Sequence, residues 1–177
     1  VDPSPITSQL SGWGRIPAPG RELGSERLES VTRGAALCRG LGRSYGDSSL
    51  PARPSDRVAS TVLADRVLDF DVQAGVLRAE AGLSLAEVNR LVMPRGWFPP
   101  VTPGTKFVTL GGMVASDVHG KNHHIAGCFG PHVRKLVLRL ADDSIVSASP
   151  SENADLFDAT IGGMGLLGHI LEMEFQL

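Results

Sequence analysis

An α+β fold is what this sequence predicts, and three observations predict it. Short runs of alternating or β-branched apolar residues recur at 58–63, 67–71 and 76–81, close enough together to pair as antiparallel neighbours. Another two runs, 133–140 and 145–148, are separated by the turn-forming Asp142-Asp143-Ser144 and predict a hairpin. Helical periodicity is confined to about two segments, too few to cover both faces of a doubly wound parallel sheet.

Taken in order, residues 1–33 read as irregular, because Gly12-Trp13-Gly14 and Pro17-Ala18-Pro19 impose turning or extended backbone. Ala35-Ala36-Leu37-Cys38 is a short strand candidate. The clearest helix begins at Ser84, where Ser84-Leu85-Ala86-Glu87 has the capping-box pattern that satisfies free N–H groups of the first turn. Leu85, Val88 and Leu91 or Val92 then share one face, and Pro94 ends it. Residues 113–118 predict a short helical turn, and the acidic-started stretch 150–159 a second short helix. Met173, Phe175 and Leu177 alternate with Glu172, Glu174 and Gln176 in a last strand. Because the chain starts at Val1 and stops inside that run, it reads as a trimmed piece of a longer protein.

With 177 residues and 42% hydrophobic side chains, the chain can build one core, or two small lobes that share one. Lys and Arg number 17 against 19 Asp and Glu, so no charge excess points to nucleic acid or an anionic membrane; an anionic ligand needs a local site. No stretch approaches the roughly 20 apolar residues of a membrane span, and no basic-then-apolar leader opens the chain. Cys38 and Cys128 form neither a disulfide framework nor a C-x-x-C pair, so a reducing, cytoplasmic setting is the expectation.

Three glycine-rich loops carry the chemistry. The first, Cys38-Arg39-Gly40-Leu41-Gly42-Arg43-Ser44-Tyr45-Gly46-Asp47-Ser48-Ser49, offers consecutive backbone N–H groups, two arginines and several hydroxyls. Glycines let successive amides point into one concavity, and arginines add charge-assisted hydrogen bonds, which suits a diphosphate. Proline at 51 and 54 forbids the helix that a Rossmann loop requires, and an arginine-bearing surface loop stands as the alternative. The second loop leads through Gly104 and Thr109 to Gly111-Gly112, where a flat ring or a phosphate could touch backbone, or a tight turn could pack on a neighbour. The third, Gly163-Met164-Gly165-Leu166-Leu167-Gly168, is a literal GxGxxG, but an alternating strand follows it from His169, so the dinucleotide fingerprint fails; a plain turn is the simpler reading, and a turn whose backbone lies against a ligand or another strand is the alternative.

His119, His123 and Cys128 crowd one stretch with Lys121 and Asn122. A metal site is a poor match, because Gly120 and Asn122 break helical spacing and no H-E-x-x-H or carboxylate triad accompanies it. A Cys128–His132 nucleophile pair lacks an orienting Asn or Asp. What remains is a donor-rich polar loop, which either contacts an anionic, hydroxyl-rich molecule or hydrogen-bonds its own backbone.

The Gly-Arg-Ser-Tyr-Gly-Asp loop, the Pro-Gly-Thr…Thr-x-Gly-Gly segment and the Asp-Val-His-Gly-Lys-Asn-His-His…Gly-x-Phe-Gly run, in this order, resemble the p-cresol methylhydroxylase/vanillyl-alcohol oxidase (PCMH-type) flavoproteins, most closely the decaprenylphosphoryl-β-D-ribose oxidase-like branch. The resemblance covers the chain from Gly12 to its last strand and implies an FAD-binding domain of two α+β subdomains, 1–66 and 67–177, with the cofactor between them. It implies that residues 38–48 wrap the diphosphate, that Gly104, Thr109, Leu110, Gly111, Gly112, Ser116, His119 and Ile170 line the cofactor, and that His119 and Lys121 face the substrate. A cationic wall there favours the charge that develops during hydride transfer. Relatives that attach FAD covalently use a histidine in the first loop, where Tyr45-Gly46-Asp47 stands here, so non-covalent FAD is implied. The resemblance also implies a small-molecule alcohol or sugar-like substrate and a substrate or cap domain beyond this chain. The stretch from Arg15 to Leu37 is short for the helix and strands of that family.

Overall fold

A computed structural model describes residues 6–177. β1 (Ile6–Ser11) and β2 (Pro17–Gly24) form an antiparallel hairpin, and α1 (Leu28–Val31) follows. The stretch expected to be irregular is thus largely structured, with residues 1–5 outside the described residues. Its prolines are tolerated because β2 begins to pair with its second neighbour only at Arg21, which leaves the backbone at Pro17 and Pro19 without a partner on that side. The stretch from Arg15 to Leu37 holds both a strand and a helical turn despite its length.

β3 (Leu37–Arg39) and β4 (Arg57–Ser60) complete a four-stranded sheet in the order β1-β2-β4-β3. Here β4 runs parallel to both β2 and β3, against the expectation that residues 58–63 pair antiparallel with the next run. The long segments 25–36 and 40–56 carry the chain back to the same edge, which parallel pairing requires.

The second sheet is antiparallel throughout: β5 (Val67–Asp71), β6 (Val76–Glu80), β7 (Val133–Arg139), β8 (Ile145–Ala148) and β9 (His169–Gln176) lie in the order β5-β6-β9-β7-β8. A register shift between Val133 and Lys135 turns the strand so that Val133, Leu136 and Leu138 all reach the interior. Leu77 and Ala79 of β6 and Met173 and Phe175 of β9 bury on the same core, where Phe129 meets Phe175 edge to face at 5.4 Å. Residues of the smaller sheet and α1, including Leu23, Leu28, Val31 and Ala59, belong to this one cluster.

α2 (Leu85–Val92) buries Leu85, Val88 and Val92, and Ser84 Oγ accepts the Glu87 N–H. The Glu87 carboxylate pairs with Arg90, so only half of the capping box is made. α3 (Leu110–Ala115) starts earlier than the expected 113–118, because Thr109 caps it, and α4 (His123–Ala126) is a separate single turn. α5 (Ala154–Thr160) is shorter than the expected 150–159, and β9 begins at His169, directly after the third glycine loop, as the alternating pattern there predicts. No described helix is long and apolar enough to cross a membrane.

Candidate functional site

The first loop leaves β3 at Arg39, the second enters α3, and the third joins α5 to β9; together they line a two-lobed cleft with lobes of about 500 and 550 Å³. Gly40, Ser44, Ser49, Thr109, Gly112 and Ser116 border both lobes, which makes the two continuous.

Thr109 is the joint between the first two loops. Its Oγ1 accepts the Gly112 N–H at 3.3 Å, while Leu110 N–H donates to Leu83 O and Gly111 N–H to Ala81 O, each at 2.8 Å. The first amides of α3 are thus engaged in holding the helix to the end of β6. A methyl group added at Gly40 would overlap Thr109 Oγ1 and stand 2.9 Å from its Cγ2, so only glycine lets the loops approach this closely.

The first loop is built the opposite way. Among the described residues, no acceptor takes the N–H groups of residues 40–48, while its carbonyls are engaged: Trp13 N–H donates to Ser44 O at 2.9 Å. Gly42 and Gly46 sit at φ of +67° and +59°. Both arginines brace backbone: Arg39 Nη2 donates to Ser11 O at 2.5 Å, and Arg43 Nη1 to Leu41 O at 2.7 Å. Among the described residues, the buried Arg39 Nε and Ser49 Oγ have no hydrogen-bond partner. Unengaged amides around positive-φ glycines, with orphaned buried donors beside them, fit the diphosphate of a dinucleotide.

The third loop docks on α3 through Gly162 N–H to Val114 O (2.9 Å) and Met164 N–H to Ala115 O (2.8 Å), and its residues 164–168 wall the first lobe. Beyond it, His169 Nε2 lies 3.3 Å from Ala35 O and Nδ1 lies 3.2 Å from Cys38 Sγ. With the Nε2 proton donated to Ala35, Nδ1 is left to accept from the thiol. Burial lowers the His169 pKa from its ordinary 6.5 and pushes Cys38 up to about 12, so both groups are neutral and bridge the two sheets.

In the second lobe, His119 stands exposed at the wall with Gly104, Tyr45 and Trp13. Its loop is held by Asp117, whose carboxylate accepts the Gly130 N–H at 2.7 Å, and by Asn122, whose amide donates to Pro100 O at 2.9 Å. The His119 and His123 rings meet edge to face at 5.4 Å, and His123 Nε2 is 3.5 Å from Cys128 Sγ. Partial burial, then the Asp117 charge, raise the Cys128 pKa, away from a thiolate nucleophile. Among the described residues, no group of three or more His, Cys, Asp or Glu could hold a metal ion.

Of the residues singled out from sequence, Cys38, Arg39, Ser48, Gly111 and Ile170 line the first lobe, and Leu41, Gly42, Arg43, Tyr45, Gly104 and His119 the second. Gly46, Asp47 and Lys121 border neither lobe, and Leu110 is fully buried in the core. Sequence reading missed Trp13 and His169; it included Ser49 in the first loop and left a ligand-facing backbone open for the third, whose residues 164–168 do wall the first lobe. Gly12 was the available signal for the first, since a side chain there would press on Ser44 O and Gly46 O, both at 2.8 Å.

Comparison with known proteins agrees with this geometry. The family model for an FAD binding domain matches residues 31–149. Decaprenylphosphoryl-beta-D-ribose oxidase of Mycolicibacterium smegmatis is 38% identical over 97% of this chain and 39% of its own length. Delta(24)-sterol reductase of Rattus norvegicus is 32% identical over 63% of the chain and 22% of its own length, and L-gulonolactone oxidase of Mus musculus is 32% identical over 63% and 25%. The chain thus spans well under half the length of these relatives. With a cleft whose donors fit a dinucleotide diphosphate and a family model covering its centre, the chain belongs to the FAD binding domain family of flavin-dependent oxidoreductases, in the PCMH-type α+β fold, with FAD as its cofactor.

Proposed function

We propose that the intact protein oxidises an alcohol group of a sugar-like substrate, and that this chain is its FAD-binding part, with non-covalent cofactor and a substrate or cap domain supplied by further sequence. The observation that carries this reading is the continuous two-lobed cleft, with unengaged amides at its centre and an imidazole at one mouth. Bound FAD supplies a hydride acceptor at N5. Of the loop 39–48, residues 40–45 and Ser48 face the cleft and hold the diphosphate through backbone N–H groups, with Arg39 and Arg43 keeping the loop in shape. Gly104, Thr109, Gly111, Gly112, Ser116 and Ile170 form the walls that keep water off the cofactor. His119 donates toward the reacting end of the cleft, and exposed Lys121 meets the substrate from outside it. The division into subdomains at 66/67 is part of the same proposal and accords with the smaller sheet ending at Ser60 and the larger starting at Val67. Two free cysteines accord with a cytoplasmic setting.

The test is the visible spectrum of purified protein before and after acid precipitation, followed by anaerobic addition of sugar alcohols to the full-length form. Flavin bands that move to the supernatant, and that bleach with a sugar-type alcohol, support the reading. Bands that never bleach would leave a binding module without this activity. Stoichiometric zinc with no flavin uptake would refute the site assignment.

A further inference from the structure

Away from the flavin cleft, a cavity of about 360 Å³ opens where α1, the start of β4 and the β7–β8 turn meet. Four arginines line it, Arg27, Arg33, Arg57 and Arg139, against the two carboxylates of Glu29 and Asp143. That local excess is opposite in sign to the chain's net charge of −2.

The four arginines are not equivalent. Arg139 is 3% exposed and fully engaged: Nε donates to Thr32 Oγ1 at 3.0 Å, Nη2 to Glu29 O at 2.6 Å, and Nη1 to Asp143 O at 2.9 Å and Oδ1 at 3.3 Å. It is the pillar of the cavity, and it takes up the Asp143 carboxylate. Arg57 has the reverse character. Among the described residues its buried Nε has no acceptor, and no other atom of its guanidinium makes a hydrogen bond or ion pair. Gly34, at φ +64°, turns the chain past it, and a methyl added there would meet Arg57 Nη1 in ordinary contact at 3.5 Å. Arg27 and Arg33 reach the same opening with no carboxylate partner among the described residues.

A buried guanidinium N–H without an acceptor is unfavourable by the desolvation of a charged donor. Three unpaired arginines around one opening, one of them with a buried orphan donor, make a complementary receptor for a compact oxyanion with several acceptor oxygens. We propose that this cavity is a second ligand site, separate from the flavin cleft, and that it binds a phosphate group, either free orthophosphate or the terminal group of a small phosphomonoester. Arg57 and Arg33 are its principal donors. Because Arg139 also borders the first lobe of the flavin cleft, the two sites share a wall.

The test titrates full-length, FAD-loaded protein with orthophosphate and separately with glycerol 3-phosphate, at ionic strength held constant with chloride, by calorimetry. Saturable binding of at least one probe is expected. Arg57→Gln should weaken it by about tenfold or more, as the loss of charge-assisted hydrogen bonds requires. Arg33→Gln, at an exposed position where folding is not at risk, should weaken it severalfold. Arg134→Gln, exposed on β7 and outside the cavity, should leave it unchanged, and the flavin spectrum reports that each variant is folded. Tighter binding of the phosphomonoester would identify an organic phosphate as the ligand, and equal or tighter binding of orthophosphate would identify the free ion. Heat that grows linearly without saturation, equal heat from chloride alone, or affinity indifferent to both Arg57→Gln and Arg33→Gln would overturn the proposal.

Discussion

Gly40→Ala isolates the contact on which the cleft depends. Gly40 is not held at positive φ, so the effect of an added methyl is one of space and not of backbone strain. The methyl would overlap Thr109 Oγ1 and lie 2.9 Å from Cγ2 and 3.2 Å from Cβ, on a residue only 4% exposed. Thr109 must move, and with it goes the cap on Gly112 N–H. Loss of a cap costs about 1 kcal/mol, and overpacking of a tight contact adds roughly 1–3 kcal/mol. The expected destabilisation is therefore about 2–4 kcal/mol, or a fall of about 1–2 M in the urea midpoint at an ordinary slope with the slope unchanged. Thr109→Ala should cost only the cap. In that background Gly40→Ala meets nothing nearer than Cβ and should be nearly neutral, which gives a coupling of at least about 1 kcal/mol in a double-mutant cycle. FAD titrations of the same variants should follow the same order. A Gly40→Ala midpoint equal to wild type, or strictly additive double-mutant values, would refute the contact.

Other predictions follow from the same geometry. Gly42→Val should abolish FAD uptake, because its side chain would need φ +67° and would strike the Arg39 guanidinium that braces the loop, while Cys128→Ser should leave uptake intact; fluorescence titration reads both. His169 is held below its ordinary 6.5, so the folded state binds fewer protons there than the unfolded one, and the stability of the neutral bridge should be present above about pH 6.5 and be lost as pH falls through the depressed value. Thermal melts of wild type and His169→Gln across that range should show the slope in wild type alone. Cys38, raised from 9.0 to about 12, should by the same reasoning make stability fall between those values as pH rises, a slope that Cys38→Ala removes. Burial of the Glu80 carboxylate works to raise its pKa, but the Arg66 hydrogen bonds and charge hold it below the ordinary 4.5. Its stabilising contribution should thus be present above that pH and disappear on acidification, and Arg66→Ala should lower Tm at neutral pH by more than Arg66→Ala in a Glu80→Gln background.

The legible elements are those whose signal is local. Ser84 caps α2 with a hydroxyl three residues from the amide it accepts, and the β7–β8 hairpin turns on its own Asp and Ser side chains. The α+β class follows from such elements, and so does the position of each glycine loop. Residues 1–33 were not legible, since whether Pro17 and Pro19 are admissible depends on β2 lacking its second neighbour there, a fact fixed by β4 far along the chain. The parallel pairing of β4 is likewise a property of how connections fold back. His169 gives no sequence signal of its own, because its partner Cys38 lies 131 positions away in the other sheet.

The site itself divides its labour in a way that composition conceals. A near-neutral chain is expected to meet an anionic cofactor with locally concentrated charge, and the two arginines of the first loop are the obvious means. Yet Arg39 and Arg43 direct donors into carbonyls of Ser11 and Leu41. Tying down those carbonyls fixes the loop in the shape in which the N–H groups of residues 40–48 stay unengaged. The positive potential of the guanidinium groups still falls on the cleft, while directional bonding is left to amides that glycine alone can orient. Removing the Arg39 charge should therefore weaken FAD binding chiefly by loosening the loop: Arg39→Lys, which keeps the charge but cannot hold Ser11 O in a fixed fork, should bind FAD nearly as poorly as Arg39→Gln. Lysine restoring wild-type affinity would show that charge, and not bracing, is the contribution of Arg39.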